Sequence, residues 1–169
     1  MARRMPPDPE LVRELREMQA APKIWVAAGE IAWVDAGGRP KGYKFRAALS
    51  LEGYTPDTLY VEAYYKESTI EDVPDKLSLS LFYRNHRILG LDENGATRHR
   101  NGVGVGRQHY LELVGHPHLH TISDDAVCGY AEPLESAEFS AHWATFLSHA
   151  GIENAPVFSL PPGQRELPL

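Results

Sequence analysis

Three histidines occupy alternate positions in the segment GHPHLHTI, at His116, His118 and His120. Imidazole changes charge near neutral pH, and its neutral form is a common metal ligand. In an extended strand, residues two apart point to the same face, so these rings would share one face while Leu119 points into the core. The pattern predicts a site in which histidines exchange protons or bind a metal ion.

The three histidines belong to a longer stretch that is rich in both histidine and arginine. Residues 84–120 hold six of the eight histidines and no lysine, in a chain of formal charge −6. Arginine binds phosphate through two N–H groups at once, and histidine moves protons, so the combination favours phosphoester chemistry. We therefore predict catalytic roles for His116, His118 and His120. The predicted phosphate-binding residues are Arg84, Arg87, Arg98, Arg100 and Arg107.

The same histidines are candidate ligands for a divalent metal ion such as zinc. Two histidines at i and i+2 of a strand can reach one ion, but the outer two of three in line stand too far apart. We expect His118 and His120 to bind, with a third ligand from another part of the chain. His109, Asp124 and Asp125 are candidates, and His109 completes the predicted metal set.

The spacing resembles the signature of the histidine-triad nucleotide hydrolases and transferases, which is His-φ-His-φ-His-φ-φ with φ apolar. Three φ places hold apolar residues, namely Pro117, Leu119 and Ile122, and the fourth holds Thr121. The resemblance implies nucleotidyl hydrolysis without a metal. By position, His118 would attack the α-phosphate of a nucleotide, and His116 and His120 would hold that phosphate.

A broader part of the chain, from Leu77 to Asn154, resembles small bacterial and phage domains of unknown function. Those domains place a Tyr-Arg strand before a His-x-His strand, then an Ala-x-Pro-Leu-like segment and a tryptophan-containing helix. The resemblance implies no particular activity. It leaves open a role as a regulator encoded by a phage or another mobile element.

Composition favours one globular domain at residues 1–154, followed by an extended proline-rich tail at residues 155–169. The chain is 43% hydrophobic, and no apolar run reaches the ~18 residues of a membrane span, so we expect a cytoplasmic protein that does not contact membranes. The negative charge argues against a surface devoted entirely to nucleic acid. Cys128 is the single cysteine, which excludes an internal disulfide, and we expect it to be buried.

Local patterns predict helices at both ends of the domain and strands between them. A helix capped by Asp8 ends at Pro22, and a second begins near Ser136 and closes at Gly151, with His142 and His149 on its surface. The segment KLSLSLFYR alternates strictly, as a half-buried strand does. We therefore predict an α+β fold: an antiparallel β-sheet or partly open β-barrel flanked by an N-terminal and a C-terminal helix.

Two functions follow from these features. The first is an enzyme that cleaves phosphoesters or transfers nucleotidyl groups, acting on a nucleotide or RNA through the His/Arg-rich site. The second is a non-catalytic binding module for a protein partner or an anionic ligand. It is favoured because no acidic residue lies beside the three histidines in sequence to orient them. The substrate, the identity of any metal and the oligomeric state stay open.

Overall fold

The computed structural model describes residues 5–163. A curled, mostly antiparallel sheet is flanked by an N-terminal helix, α1 (Pro9–Ala20), and a C-terminal helix, α2 (Phe139–Ala150), which confirms the predicted α+β class. The strands are β1 (Lys23–Trp25), β2 (Val34–Gly37), β3 (Gly42–Ser50), β4 (Leu59–Lys66), β5 (Lys76–Tyr83), β6 (His86–Glu93), β7 (His99–Arg100), β8 (Leu113–Val114), β9 (His118–Ser123), β10 (Ala126–Pro133) and β11 (Ile152–Glu153). Neither helix is long and apolar enough to cross a membrane in the residues that the structure describes.

Nine strands form the main sheet, in the order β10-β9-β6-β5-β4-β3-β1-β11, with β2 paired to β3. All of these pairs are antiparallel except β1 with β11. The strands β7 and β8 pair separately. The long-range neighbours β6 and β9 are joined by residues 94–117, which we call the covering loop.

The sheet has an inner face that packs against the helices and an outer face that is largely polar. Leu77, Leu79 and Leu81 of β5 are fully buried on the inner face, as their alternation predicts. Ser78 and Phe82 lie on the outer face and are half-buried. The hydrophobic core therefore lies between the sheet and the two helices. The polar side chains of the strands lie on the outer face.

Both helices begin and end close to the predicted positions. The Asp8 carboxylate accepts a hydrogen bond of 2.9 Å from the backbone N–H of Glu10, and Pro9 fills the first helical position, where a missing N–H costs nothing. Helix α2 ends at Gly151, which has a φ of 65° and closes the helix in a left-handed conformation that glycine adopts easily.

A buried lysine joins the C-terminal ends of the two helices. Nζ of Lys23 donates to the carbonyls of Gln19 and Ala21 at the end of α1 and to the carbonyl of Ala150 at the end of α2, over 2.7–2.9 Å. The last carbonyls of a helix have no partner within the helix and carry partial negative charge, so an ammonium group suits them. Burial lowers the pKa of Lys23 to about 8.

Residues 155–163 follow α2 without helix or strand and lie against the tryptophans of the core. The indole N–H of Trp143 donates to the Pro156 carbonyl, and that of Trp33 donates to the Ser159 carbonyl. The rest of the predicted tail, residues 164–169, lies outside the described residues.

Two expectations about burial are wrong. Cys128 is exposed rather than buried, because the register of β10 shifts between Ala126 and Tyr130 and interrupts the alternation of side chains. His142 is 2% exposed rather than on the surface, since it lies on the face of α2 that meets the sheet. Its Nε2 has no hydrogen-bond partner among the described residues.

Candidate functional site

The covering loop folds back over the outer face and is fastened there by a buried asparagine. The Asn101 side chain accepts from the backbone N–H of Ala131 and donates to its carbonyl, both over 2.8 Å, and it also donates to the carbonyl of His109. Gly104 lies against the ring of Tyr130, so close that a Cβ would stand 2.2 Å from a ring carbon. The loop is therefore held tightly enough to position side chains over the sheet.

Strands β6 and β9 bring an aspartate beside two of the three alternate histidines. Asp92 is paired in register with His118, and Gly90 with His120. Since Leu91 and Leu119 turn inward to the core, their neighbours in sequence turn outward. Asp92, His118 and His120 therefore meet on the outer face, and we call them the His/Asp cluster.

The polar atoms of the His/Asp cluster converge on a small volume. Nε2 of His118 lies 2.9 Å from Nε2 of His120, and Oδ2 of Asp92 lies 3.1 Å from Nε2 of His120 and 4.0 Å from Nε2 of His118. His118 is 1% exposed, and the other two residues are half-buried. The arrangement confirms that alternate histidines share a face, and their rings lean together.

The hydrogen bonds of His118 define its tautomer. Its Nδ1 lies 2.8 Å from the Gly115 carbonyl, which can only accept, so Nδ1 carries the hydrogen and Nε2 presents a lone pair to the cluster. Burial lowers the pKa of His118 to about 4, and nearby His120 and His116 act in the same direction. His118 is therefore neutral at pH 7.

Two further imidazoles surround the cluster, and each also has one nitrogen on a backbone carbonyl. Nδ1 of His116 lies 2.7 Å from the Thr97 carbonyl, and Nε2 of His99 lies 2.7 Å from the Gly129 carbonyl. The ring centroids of His116 and His118 are 4.1 Å apart, and those of His99 and His120 are 4.9 Å apart. The other nitrogen of each ring has no hydrogen-bond partner among the described residues.

Asp92 is oriented by a bidentate ion pair with Arg87. The guanidinium donates to Oδ1 over 2.7 Å and to Oδ2 over 3.0 Å, and the Ser78 hydroxyl donates to Oδ1 over 2.6 Å. Burial raises the pKa of Asp92, but the hydrogen bonds from His120, Arg87 and Ser78 and the charge of Arg87 outweigh it, so the pKa is well below its usual range. Asp92 is thus a carboxylate at neutral pH.

Gly90 provides the room that Arg87 needs. A Cβ at this position would stand 2.3 Å from Cζ of Arg87, so the guanidinium lies flat on the bare backbone of β6. Two more N–H groups of Arg87 donate to the Ser80 hydroxyl, over 2.8 Å, and to the Leu79 carbonyl. Arg87 therefore positions Asp92, and four of its five N–H groups are used in these contacts.

The separations within the His/Asp cluster are those of ligands around a single metal ion. Ligand atoms at about 2.1 Å from an ion are about 3.0 Å apart at right angles, about 3.4 Å apart in a tetrahedron and about 4.2 Å apart across the ion. The three observed separations, 2.9, 3.1 and 4.0 Å, fall in this range. Across residues 5–163, no other group of three or more His, Cys, Asp or Glu side chains converges in this way.

A small cavity gives access to Asp92 and His116. It has a volume of about 120 Å³, and its other lining residues include Lys76 and Ser78. Since water takes up about 30 Å³ in the liquid, the space suits about four water molecules or one small anionic group. The cavity admits the end of a ligand rather than a whole nucleotide.

The other candidate metal ligands from the sequence have partners elsewhere. His109 lies 2.8 Å from the Glu112 carboxylate, Asp124 pairs with Arg16, and the Asp125 carboxylate accepts from the backbone of Gly104. The third residue of the cluster is Asp92 instead. Sequence reasoning missed it because β6 and β9 are separated by the covering loop, although alternation in the segment RILGLDE already places Asp92 opposite the core.

Of the five arginines predicted to bind phosphate, Arg87 contacts the His/Asp cluster, and the other four lie elsewhere. Arg84 pairs with Glu14 on α1 over 2.7 Å, and Arg107 pairs with Glu132 and lies over the ring of Tyr130. Arg98 and Arg100 are exposed and have no carboxylate within 4.0 Å among the described residues. They flank His99, and strand alternation directs them away from the face that His99 presents to the cluster.

Comparisons of this chain with protein-family models, with curated proteins and with solved structures found no match. The resemblance to the histidine-triad enzymes therefore stays a prediction from seven residues of sequence, His116 to Ile122.

Proposed function

We propose that the chain is a metal-dependent enzyme that hydrolyses phosphoesters, with His118, His120 and Asp92 as ligands of a divalent transition-metal ion. The observation that carries the proposal is the convergence of their three ligand atoms at separations of 2.9–4.0 Å. Three protein ligands leave coordination positions open for water or a substrate, as catalytic sites require. Zinc, iron and manganese are all compatible with this ligand set.

The hydrogen bonds around the ligands support this assignment. A metal-binding histidine usually donates its other N–H to a carbonyl or carboxylate, as His118 does to Gly115. A ligating carboxylate is usually held by hydrogen bonds of its own, as Asp92 is by Arg87 and Ser78. The ligands are thus already oriented by their neighbours.

The residues beside the cluster supply the remaining chemistry of hydrolysis. A divalent ion held by the His/Asp cluster would supply positive charge that makes water a better nucleophile near neutral pH. His116 lines the cavity and has one nitrogen free, so it can take a proton from the attacking water and return it to the leaving oxygen as the P–O bond breaks. Lys76 at the same cavity offers a positive charge to an incoming phosphate.

Metal content is the first test. We expect tag-free protein to bind close to one equivalent of zinc, iron or manganese by elemental mass spectrometry, and the double variant His118→Ala/His120→Ala to bind none. The control His109→Ala/His149→Ala removes the same number of imidazoles from outside the cluster and should retain the metal. The absence of metal from wild-type protein, before and after incubation with each ion, would refute the proposal.

Activity is the second test. Metal-loaded protein should hydrolyse 4-nitrophenyl phosphate or its bis(4-nitrophenyl) diester, and a chelator should abolish turnover. If the protein binds metal but hydrolyses neither ester, the proposed enzymatic activity is refuted and the non-catalytic binding module is favoured.

A second candidate is the metal-free mechanism of the histidine-triad enzymes. It is favoured by the unprotonated Nε2 of His118, because a nucleophilic histidine attacks through an unprotonated ring nitrogen. Hydrolysis that resists a chelator but is lost in His118→Ala would support it over the metal-dependent enzyme.

A further inference from the structure

Three planar side chains form a stacked row across the outer face of β3, β4 and β5. Tyr60 and Phe82 face each other in register, with ring centroids 5.3 Å apart and planes inclined by 20°. The guanidinium of Arg46 lies 4.1 Å from the centroid of the Tyr60 ring. Arg46 is exposed and the two aromatic rings are half-buried, so the row is accessible from solvent at its edges. We call these residues the stacking row.

The same face also carries an unusual pair of like charges. Lys66 of β4 and Lys76 of β5 are directly opposite each other in register. Like charges in this position destabilise a sheet. Among the described residues neither lysine has a carboxylate within 4.0 Å that could neutralise it. A bound anion would relieve the repulsion, which makes the pair a candidate anion-binding point.

The outer face of β3–β5 is thus positive on a protein of net charge −6. Its basic residues are Lys44, Arg46, Lys66 and Lys76. The one acidic residue facing them in register is Glu62, which pairs with Arg46 over 2.9 Å. Local charge of this sign attracts a polyanion even when the whole protein is acidic.

The face leads directly to the His/Asp cluster. Along β5, the outward residues run from Phe82 in the stacking row through Ser80 and Ser78 to Lys76. This distance is about 20 Å at 3.4 Å per residue. Ser78 donates to Asp92 of the cluster, and Lys76 lines the cavity that opens on Asp92. A chain molecule that followed β5 would pass the cluster.

We propose that this face binds single-stranded nucleic acid, with phosphates on Lys66 and Lys76 and with bases stacked on the two ends of the row, which are the Arg46 guanidinium and the Phe82 ring. Aromatic rings on a sheet face stack with bases of any sequence, and they need bases that are not already paired in a duplex. The inference deepens the proposed function, since it names the substrate class as a single-stranded polynucleotide. Cleavage rests on the proposed function, whereas binding by this face requires no metal.

Binding is measured by fluorescence anisotropy in the presence of a chelator. The probes are labelled oligo(U) and oligo(dT) of about 12 nucleotides, a length in the range that one small domain covers, and a duplex of equal length. We expect both single strands to bind more tightly than the duplex. Their relative affinities then distinguish RNA from DNA as the preferred ligand.

Two variants test the stacking and the charge separately. Loss of one stacked ring costs about 1–3 kcal/mol, so Phe82→Ala should weaken binding about 5-fold to 150-fold, and Phe82→Tyr should restore it. Tyr54→Ala is the control, because Tyr54 is an exposed tyrosine outside the stacking row. Lys66→Ala/Lys76→Ala leaves the aromatic row intact and should reduce the slope of log K against log salt by about 1.4.

The outcomes separate this inference from the proposed function. Absence of binding at low salt, equal affinity for the duplex, or unchanged affinity in both Phe82→Ala and the double lysine variant would overturn the inference. The metal-loaded protein could still hydrolyse bis(4-nitrophenyl) phosphate in that case. Conversely, a protein that binds the single strands but neither takes up metal nor hydrolyses the esters would refute the proposed enzymatic activity and support the nucleic-acid-binding surface.

Discussion

Nε2 of His118 and Nε2 of His120 face each other at 2.9 Å. Two lone pairs repel at this distance, so a hydrogen or a cation has to lie between the nitrogens. The hydrogen of His118 is on Nδ1, where it is donated to the Gly115 carbonyl. The shared hydrogen therefore belongs to His120 and also points toward Asp92, so it lies where the proposed metal ion would bind.

The first prediction concerns the pH dependence of stability in the metal-free protein. Burial lowers the pKa of His118 to about 4 from an unfolded value of 6.5. The unfolded chain therefore binds more protons between these values, and the free energy of unfolding must fall as the pH is lowered from 6.5 to about 4. We expect a loss of up to about 3 kcal/mol from this residue.

The measurement is chemical unfolding at a series of pH values with a chelator present. His118→Gln keeps a side-chain donor for the Gly115 carbonyl but does not titrate, so its stability should fall less steeply in this window. Parallel curves for the two proteins would contradict the assignment of a buried neutral imidazole.

The second prediction compares two arginines of one hairpin. Arg87 and Asp92 form a largely buried pair, with 24% and 18% of their side chains exposed, and Arg84 pairs with Glu14 at the surface. Removing one partner of a buried ion pair leaves the other charge buried without a partner. Arg87→Met should therefore lower the free energy of unfolding by about 2–4 kcal/mol. Arg84→Met should cost less than about 1 kcal/mol. Equal losses in denaturant titrations would show that Arg87 does not support Asp92.

The third prediction concerns the backbone beneath Arg87. Gly90→Ala puts a methyl group where Cζ of Arg87 lies, so the guanidinium must move away from Asp92. We expect a loss of about 1–3 kcal/mol in stability, as for other overpacked sites, together with weaker metal binding by calorimetry. Gly102→Ala is the matched control, because a Cβ at Gly102 meets no atom within 4 Å. Normal metal affinity in Gly90→Ala would mean that the position of Arg87 does not matter to the cluster.

The fourth prediction concerns the lysine that joins the two helices. Lys23→Met leaves the carbonyls of Gln19, Ala21 and Ala150 without their donor, so we expect a loss of about 2–4 kcal/mol at pH 7. Lys41→Met removes only an exposed pair with Asp35 and should leave the stability nearly unchanged. Thermal unfolding of both variants provides the measurement.

The buried ammonium group also predicts the direction of the pH effect. Because burial lowers the pKa of Lys23 to about 8 from 10.5, the unfolded chain binds more protons between these values. The wild type should therefore gain stability relative to Lys23→Met as the pH rises from about 8 to about 10. A constant difference across this window would contradict a lowered pKa.

Local patterns were sufficient for the elements of this fold. Asp8 and Pro9 define the start of α1, Gly151 defines the end of α2, and the alternation of β5 separates its core face from its polar face. Each of these signals acts within a few residues, through a cap, a turn or the period of a strand. Burial of Cys128 and exposure of His142 were predicted wrongly, because an irregular register and the packing of α2 depend on distant parts of the chain.

The sequence by itself determined that His118 and His120 share one face of a strand, because side chains in an extended chain alternate. Only the tertiary structure decided that Asp92 joins them, that Arg87 supports Asp92 instead of facing a ligand, and that His109 lies with Glu112. The physical reason is that β6 and β9 pair across a covering loop of residues 94–117. Such a pairing is set by the burial of a whole sheet, which no local pattern of residues encodes.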